Sequence, residues 1–287
     1  MTVEIVDEAV RARPGAPARV AVLAYQGYRQ RHVAPALHLG LPSPYLTLIV
    51  TLDEPLHIVA HVDRRRAPGA FDTLAGGLHT APAVIGHDGA QSGIQLLVDP
   101  LAARALLGMP AAELAGYDGD GGEVMGPVSA EIHERVGAAA TWPERFAALD
   151  RAVAALLRHH DGRPGPPAPV AQAWRLLTAS GGLMPVSAVA DAVGYSDRHL
   201  TNRFRAELGL TPKTAARVIR FDRARRALQR QMGGGGGTIG AVAADLGYHD
   251  QSHLGRDFAD STGRSPARWL AEECGNVQAT VLLEAAS

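Results

Sequence analysis

Apolar residues in the last third of the chain recur with helical spacing, and the pattern then repeats. Val186, Val189, Ala190 and Val193 mark one face of a short helix; Ile239, Val242, Ala243 and Leu246 mark another. Gly194 and Gly247 follow, and glycine just past a helix takes the left-handed conformation without steric cost. Ser196-Asp197 in one copy and Asp250 in the other then offer side-chain oxygens to cap a second helix. That helix carries Leu200 and Phe204, or Leu254 and Phe258, four residues apart, so its apolar stripe is narrow. The first 160 residues follow a different rule. Arg19–Ala24 and Tyr45–Leu52 are β-rich, and Leu56–Val62, Ala70–Leu74, Ala83–Ile85 and Gly93–Val98 are shorter candidate strands between turn signals. Pro100–Leu107, Ala111–Leu114, 126–138 and 143–159 read as helices, with Pro100 and Pro110 at opening positions. Asp161 to Pro169 is dense in Pro and Gly and reads as an extended linker.

The two helical units correspond residue by residue. Through Gly194-Tyr195 and Gly247-Tyr248 the offset is 53; from His199-Leu200 and His253-Leu254 onward it is 54. The second copy therefore has one extra residue near the start of its second helix. Two copies are too few for a solenoid, and each is too short to bury a core alone, so they read as one domain. A short helix, a glycine turn and a second helix with polar outer faces is the grammar of a helix-turn-helix, which offers side chains to the DNA major groove. Tyr195 and Tyr248 read as packing residues at the turn.

Gly-Tyr-Ser-x-x-His-Leu-x-x-x-Phe with Gly209-Leu210-Thr211-Pro212, then Gly-Tyr-x-Asp-Gln-Ser-His-Leu-x-Arg-x-Phe with Gly263-x-Ser265-Pro266, resembles the AraC/XylS family of bacterial transcription regulators over residues 170–271. Leu254 stands where that family often has Phe, and the run Gly233–Gly237 makes a longer, looser connection than is usual there. The resemblance implies two second helices in successive major grooves, roughly 34 Å apart. It places base reading at Arg198, Thr201 and Asn202 in the first unit, and at Gln251, Ser252, His253 and Arg256 in the second. It places phosphate contacts at Ser196, Arg205, Lys213 and His249. The helix after Pro212 carries Lys213, Arg217, Arg220, Arg223, Arg225, Arg226 and Arg230; it links the units, and two or three of these cations at most face DNA. The strings Leu46-Thr47-Leu48-Ile49-Val50, Gly76-Gly77-Leu78-His79-Thr80 and Asp99 to Gly108 resemble an N-terminal type of actinobacterial members, which implies no particular ligand.

The expected fold is α+β with two domains. Residues 1–160 form a β-rich, cupin-like barrel plus helices for sensing or dimerisation, and 161–169 a linker. Residues 170–271 form an all-α double helix-turn-helix head, and 272–287 a tail. The implied partners are double-stranded DNA, RNA polymerase for an activator, a small-molecule effector and a second copy of the chain. Charge agrees with this division: residues 171–271 hold 14 Lys and Arg against 8 Asp and Glu, and residues 1–170 hold 14 against 18. The single cysteine, Cys274, excludes an internal disulfide and a multi-Cys zinc site. No signal peptide or membrane span is evident, so a cytoplasmic protein is expected.

Residues 1–160 suggest neither cofactor nor metal. His57 and His61, four apart, share one side of a strand but lie far apart along it; His79 and His87 read as ordinary barrel or surface residues. Arg64-Arg65-Arg66 reads as a solvated turn. Two other readings stand beside an effector-controlled regulator. One is an enzyme carrying this head, for which DNA-repair alkyltransferases with several reactive cysteines are the precedent. Neither Gly-x-Ser-x-Gly nor His-Glu-x-x-His occurs in residues 1–160, so no catalytic activity is expected. The other is a β domain that dimerises and senses nothing.

Overall fold

The computed structural model describes residues 5–234 and 238–273. Ten strands occur among them: β1 (Val6–Ala12), β2 (Val22–Arg31), β3 (Ala36–Gly40), β4 (Leu46–Thr51), β5 (Leu56–Ala60), β6 (Gly69–Phe71), β7 (Thr73–Gly76), β8 (Ala83–His87), β9 (Gln91–Val98) and β10 (Asp118–Asp120). They build a six-stranded sheet in the order β1-β2-β9-β4-β7-β10 and a four-stranded sheet in the order β3-β8-β5-β6. Every pairing is antiparallel. Ile49 and Leu74 of the larger sheet meet Leu56, Ile58 and Ile85 of the smaller, so the sheets bury apolar faces against each other.

The strand expected over Arg19–Ala24 is displaced. Ala18–Val20 is a 3-10 turn, and β2 starts at Val22 and runs on to Arg31. Its later half was concealed because buried positions carry Gln26, Tyr28 and Gln30 in place of aliphatic residues. Gln30 donates to Asp7 (3.2 Å) and accepts from Gln91 (2.7 Å), which makes such burial tolerable. The expected common face of His57 and His61 is also overturned. The register shifts between Ile58 and Ala60, leaving His57 exposed and His61 buried. His61 Nδ1 lies 2.6 Å from the Asp118 carbonyl oxygen. Of the arginine run, Arg65 pairs with Asp63 in solvent, while Arg66 lies over the Tyr117 ring at 4.8 Å.

Four helices follow or flank the sheets: α1 (Ala103–Leu107), α2 (Gly121–Met125), α3 (Val128–Ala138) and α4 (Trp142–His159). A capping box between Thr141 and Glu144 starts α4. This helix packs on the larger sheet: Phe146 stacks on Tyr25 at 5.8 Å. Gly27 is required there, since a Cβ would stand 2.5 Å from the Trp142 ring. Asp150 ties the helix down by accepting from the Tyr25 hydroxyl (2.9 Å) and the Gly15 N–H (2.8 Å).

Seven more helices complete the described chain: α5 (Ala168–Ala179), α6 (Val186–Ala192), α7 (Asp197–Leu208), α8 (Pro212–Gly234), α9 (Ile239–Asp245), α10 (Gln251–Thr262) and α11 (Pro266–Glu273). Of the expected glycine connection, Gly233 and Gly234 continue α8, and residues 235–237 lie outside the described residues. So does most of the expected tail, from Cys274 onward.

The apolar interior is not divided where the chain changes from strands to helices. One cluster runs from Tyr25, Leu96 and Leu149 through Trp174 and Leu177 to Leu200, Phe204 and Ile219. A second gathers Phe221, Leu228, Val242, Leu254, Phe258 and Trp269, with Leu39 of β3 and Leu41 just after it packed against it. Arg104 of α1 also forks onto Glu207 of α7, with contacts of 2.6 and 2.9 Å.

Phe204 and Phe258 are fully buried equivalents, one in each cluster. Phe204→Ala and Phe258→Ala should each cost about 3–5 kcal/mol in chemical denaturation. Hydrogen exchange should find the larger sheet loosened by the first substitution and unaffected by the second.

Candidate nucleic-acid interface

Each helical unit presents its second helix by the same local devices. In the first unit, Gly194 has φ +71° and Ser196 caps α7, its hydroxyl accepting from the His199 N–H at 3.3 Å. In the second, Gly247 has φ +72° and Asp250 caps α10, its carboxylate accepting from the His253 N–H at 2.7 Å. That hydrogen bond, and then the His249 ring, hold the Asp250 carboxyl below the ordinary aspartate value. The caps are 54 apart and the glycines 53, so the extra residue of the second copy is His249, in the turn itself. Leu200, Phe204, Leu254 and Phe258 are all fully buried, which anchors one edge of each helix and turns the rest outward.

Arg198, Asn202 and Arg205 are exposed on one face of α7, with Thr201 half-buried beside them. Gln251, Ser252 and Arg256 are exposed on α10. His253 is half-buried; its ring meets the Tyr248 ring edge-on at 5.3 Å, and its Nδ1 accepts from the His249 N–H at 3.4 Å. The equivalent pair, Tyr195 and His199, meets in the same way at 4.3 Å. Tyr195 packs against the first cluster, and Tyr248 is buried in the second. Ser196, Lys213 and His249 are exposed near the starts of α7, α8 and α10. The chain thus holds two short, polar, outward-facing helices on one rigid support.

Residues 169–272 match the family described as a helix-turn-helix domain. This region is an AraC-type double helix-turn-helix head. No curated protein matches the chain. Among solved structures it is similar in fold to ToxT from Vibrio cholerae O395 bound to (E)-4-(8-methylnaphthalen-1-yl)but-3-enoic acid. That likeness has a TM-score of 0.52 at 9% identity and covers 86% of this chain and 98% of the other. The apo form of a ToxT variant from Vibrio cholerae strain SCE256 aligns with a TM-score of 0.50 at 10% identity, over 91% of this chain and 99% of that one.

In this AraC-type head the cations of α8 divide into two groups. Arg217 pairs with Asp260 (3.3 Å), and Arg220 with Asp257 (3.2 Å) while lying over Tyr248. Arg225 and Arg226 both pair with Asp222, inside the protein. Lys213, Arg223 and Arg230 are exposed and form no ion pair among the described residues. The Asp222 pairs were legible in the sequence, because the carboxylate stands three and four residues before its partners on a helix. The pairs to α10 were not, since they depend on how α10 crosses α8. Among the described residues no His, Cys, Asp and Glu group is placed to share a metal ion. No helix among them is long and apolar enough to cross a membrane.

Ser196→Ala should cost about 1 kcal/mol by removing the α7 cap. Hydrogen exchange should show faster exchange at the first turn of α7, with α10 unaltered.

Proposed function

We propose that this chain is a sequence-specific transcription regulator whose helices α7 and α10 enter successive major grooves. The observation that carries this reading is the pair of capped, outward-facing helices, each anchored by a buried Leu and Phe and joined through α8. Arg198, Thr201 and Asn202 read bases in one groove, and Gln251, Ser252, His253 and Arg256 in the next. An arginine forks onto guanine O6 and N7; asparagine and glutamine match adenine N6 and N7. Ser196, Arg205, Lys213 and His249 contact phosphates and fix register. The edge contact of His253 with Tyr248 holds the imidazole in one orientation for its part in reading.

The division proposed for this function is 1–160 for effector binding and self-association, 161–169 for connection, 170–271 for DNA, and 272–287 as a tail. The similar fold in ToxT, with a small acid bound, supports control by a small molecule. A homodimer through residues 1–160 brings two heads to paired sites, and RNA polymerase is the partner at an activated promoter. A regulator of this kind acts in the cytoplasm and catalyses no reaction.

Selection of bound sequences from random DNA, followed by binding assays on the site recovered, tests the reading. Arg198→Ala and Arg256→Ala should each lose about 1–3 kcal/mol of discrimination at one base pair. Variants that keep the parent's preference at every position would remove these residues from base reading. Affinity should also fall with salt at a log–log slope of about −0.9 per phosphate neutralised. Lys213→Ala should flatten that slope by about one without altering preference.

A further inference from the structure

Gly194 and Gly247 close the same turn in the two helical units, at φ +71° and +72°, yet only the second is covered by a side chain. A Cβ on Gly194 would meet nothing within 4 Å; one on Gly247 would stand 2.8 Å from a methyl carbon of Leu183. Leu183 belongs to the other unit, in the loop between α5 and α6. That loop is held in place by its own backbone. The Gly182 N–H donates to the Leu177 carbonyl (2.8 Å), the Leu183 N–H to the Ser180 carbonyl (3.3 Å) and the Met184 N–H to the Ser180 hydroxyl (3.2 Å). Gly181 and Gly182 both have positive φ, and Gly182 lies so close to α8 that a Cβ there would stand 2.2 Å from the Ala216 carbonyl oxygen. The Leu183 side chain is 46% exposed and joins neither hydrophobic cluster. An open cleft of ≈ 440 Å³ lies between residues 182–186 and α8, where Lys213, Thr214 and Arg217 line it. A leucine left out of both cores, on a fixed loop, is placed for contact with the neighbouring unit rather than for burial.

We propose that Leu183 is a positioning residue for DNA recognition, a strut from the first unit that holds the turn of the second and so sets how α10 sits relative to α7. This rests on the reading of the chain as a regulator whose α7 and α10 enter successive grooves. A linking helix fixes distance along its own axis better than rotation about it. The pairs of Arg217 with Asp260 and Arg220 with Asp257 run from α8 to α10, so they tie the second unit to that axis. Leu183 ties the same unit to a segment off the axis, and a contact off the axis opposes rotation. Rotation is what a duplex tests: each base pair added between two contacted segments shifts one of them by about 3.4 Å and turns it by about 34°. Gly247 leads through Tyr248 and His249 to the Asp250 cap of α10, so the strut acts next to the reading helix.

The test measures affinity of the full chain for the site recovered from random DNA, and for the same site with one base pair inserted or removed between its two contacted segments. The parent should bind the altered sites at least tenfold more weakly than the recovered one. In Leu183→Ala that penalty should fall to threefold or less, while single-base substitutions inside either segment keep their parental cost. Leu183→Met keeps an apolar side chain of similar volume and should retain the parental penalty. Hydrogen exchange of the free protein supplies a second measurement. Leu183→Ala should speed exchange of the Tyr248 N–H, which donates to the Ala243 carbonyl, and leave the equivalent Tyr195 N–H unaltered. The proposal is overturned by a parent indifferent to spacing, by a Leu183→Ala protein that weakens on recovered and altered sites by one common factor, or by unaltered exchange at Tyr248. If no sequence is selected from random DNA, the regulator reading fails and this inference with it. A selected site whose spacing penalty is undiminished in Leu183→Ala defeats this inference alone.

Discussion

Helix α8 belongs to two hydrophobic cores at once, and the arrangement of the whole head depends on that. Ala215, Val218 and Ile219 sit in the cluster that continues into the larger sheet; Phe221, Ala224 and Leu228 sit in the cluster of the second unit. A 23-residue helix is about 34 Å long and resists bending over that length. With its two halves buried in different cores, it fixes where α7 and α10 emerge. Its buried charges serve the same end. Asp222 neutralises part of Arg225 and Arg226 inside the protein, and such an arrangement costs more to break than to keep.

The β-rich region is more than a neighbour of this head. The first unit shares its core with the larger sheet, and Leu39 of β3 and Leu41 just after it reach the core of the second. Arg104 holds Glu207 near the C-terminal end of α7, where Gly209 turns the chain against Ala112 and Ala115. Both units are therefore braced by the same β-rich body, at separate points. A change in the spacing of the sheets has a direct route to the relative attitude of α7 and α10, through packed side chains.

Much of the head was legible in the sequence because its signals are local. A 3.6-residue period, a glycine at positive φ and a capping oxygen each act within a few residues, and together they located α6, α7, α9 and α10. The exposed polar faces followed from the narrow stripes of Leu200 and Phe204, and of Leu254 and Phe258. The β-rich region was harder because its signals are not local. The buried amides of Gln26 and Gln30 imitate surface positions, so β2 was cut short; β1 was not seen because none of its residues is fully buried, which leaves no apolar face to find. His57 and His61 were placed on one face because a bulge leaves no mark in the spacing of residues. The cavity between the two sheets, lined by Ile49, Leu74, Ile58 and Ile85, was out of reach altogether, since its walls come from strands distant in sequence and Arg226 of α8 and Trp269 of α11 also line it.

The lone insertion of His249 bears on more than register. The two units are near copies in sequence, yet one turn is a residue longer, and apart from the equivalent His199 and His253 the helices that follow carry different outward side chains. Joined in one chain, they cannot exchange places on a duplex. A single molecule using both must meet a sequence without internal symmetry, and it must meet it in one direction only. A protein that reads a palindrome needs a second feature to tell upstream from downstream. Here the polarity is already written in the order of the helices, so the orientation of the bound site alone decides which flank the β-rich body faces.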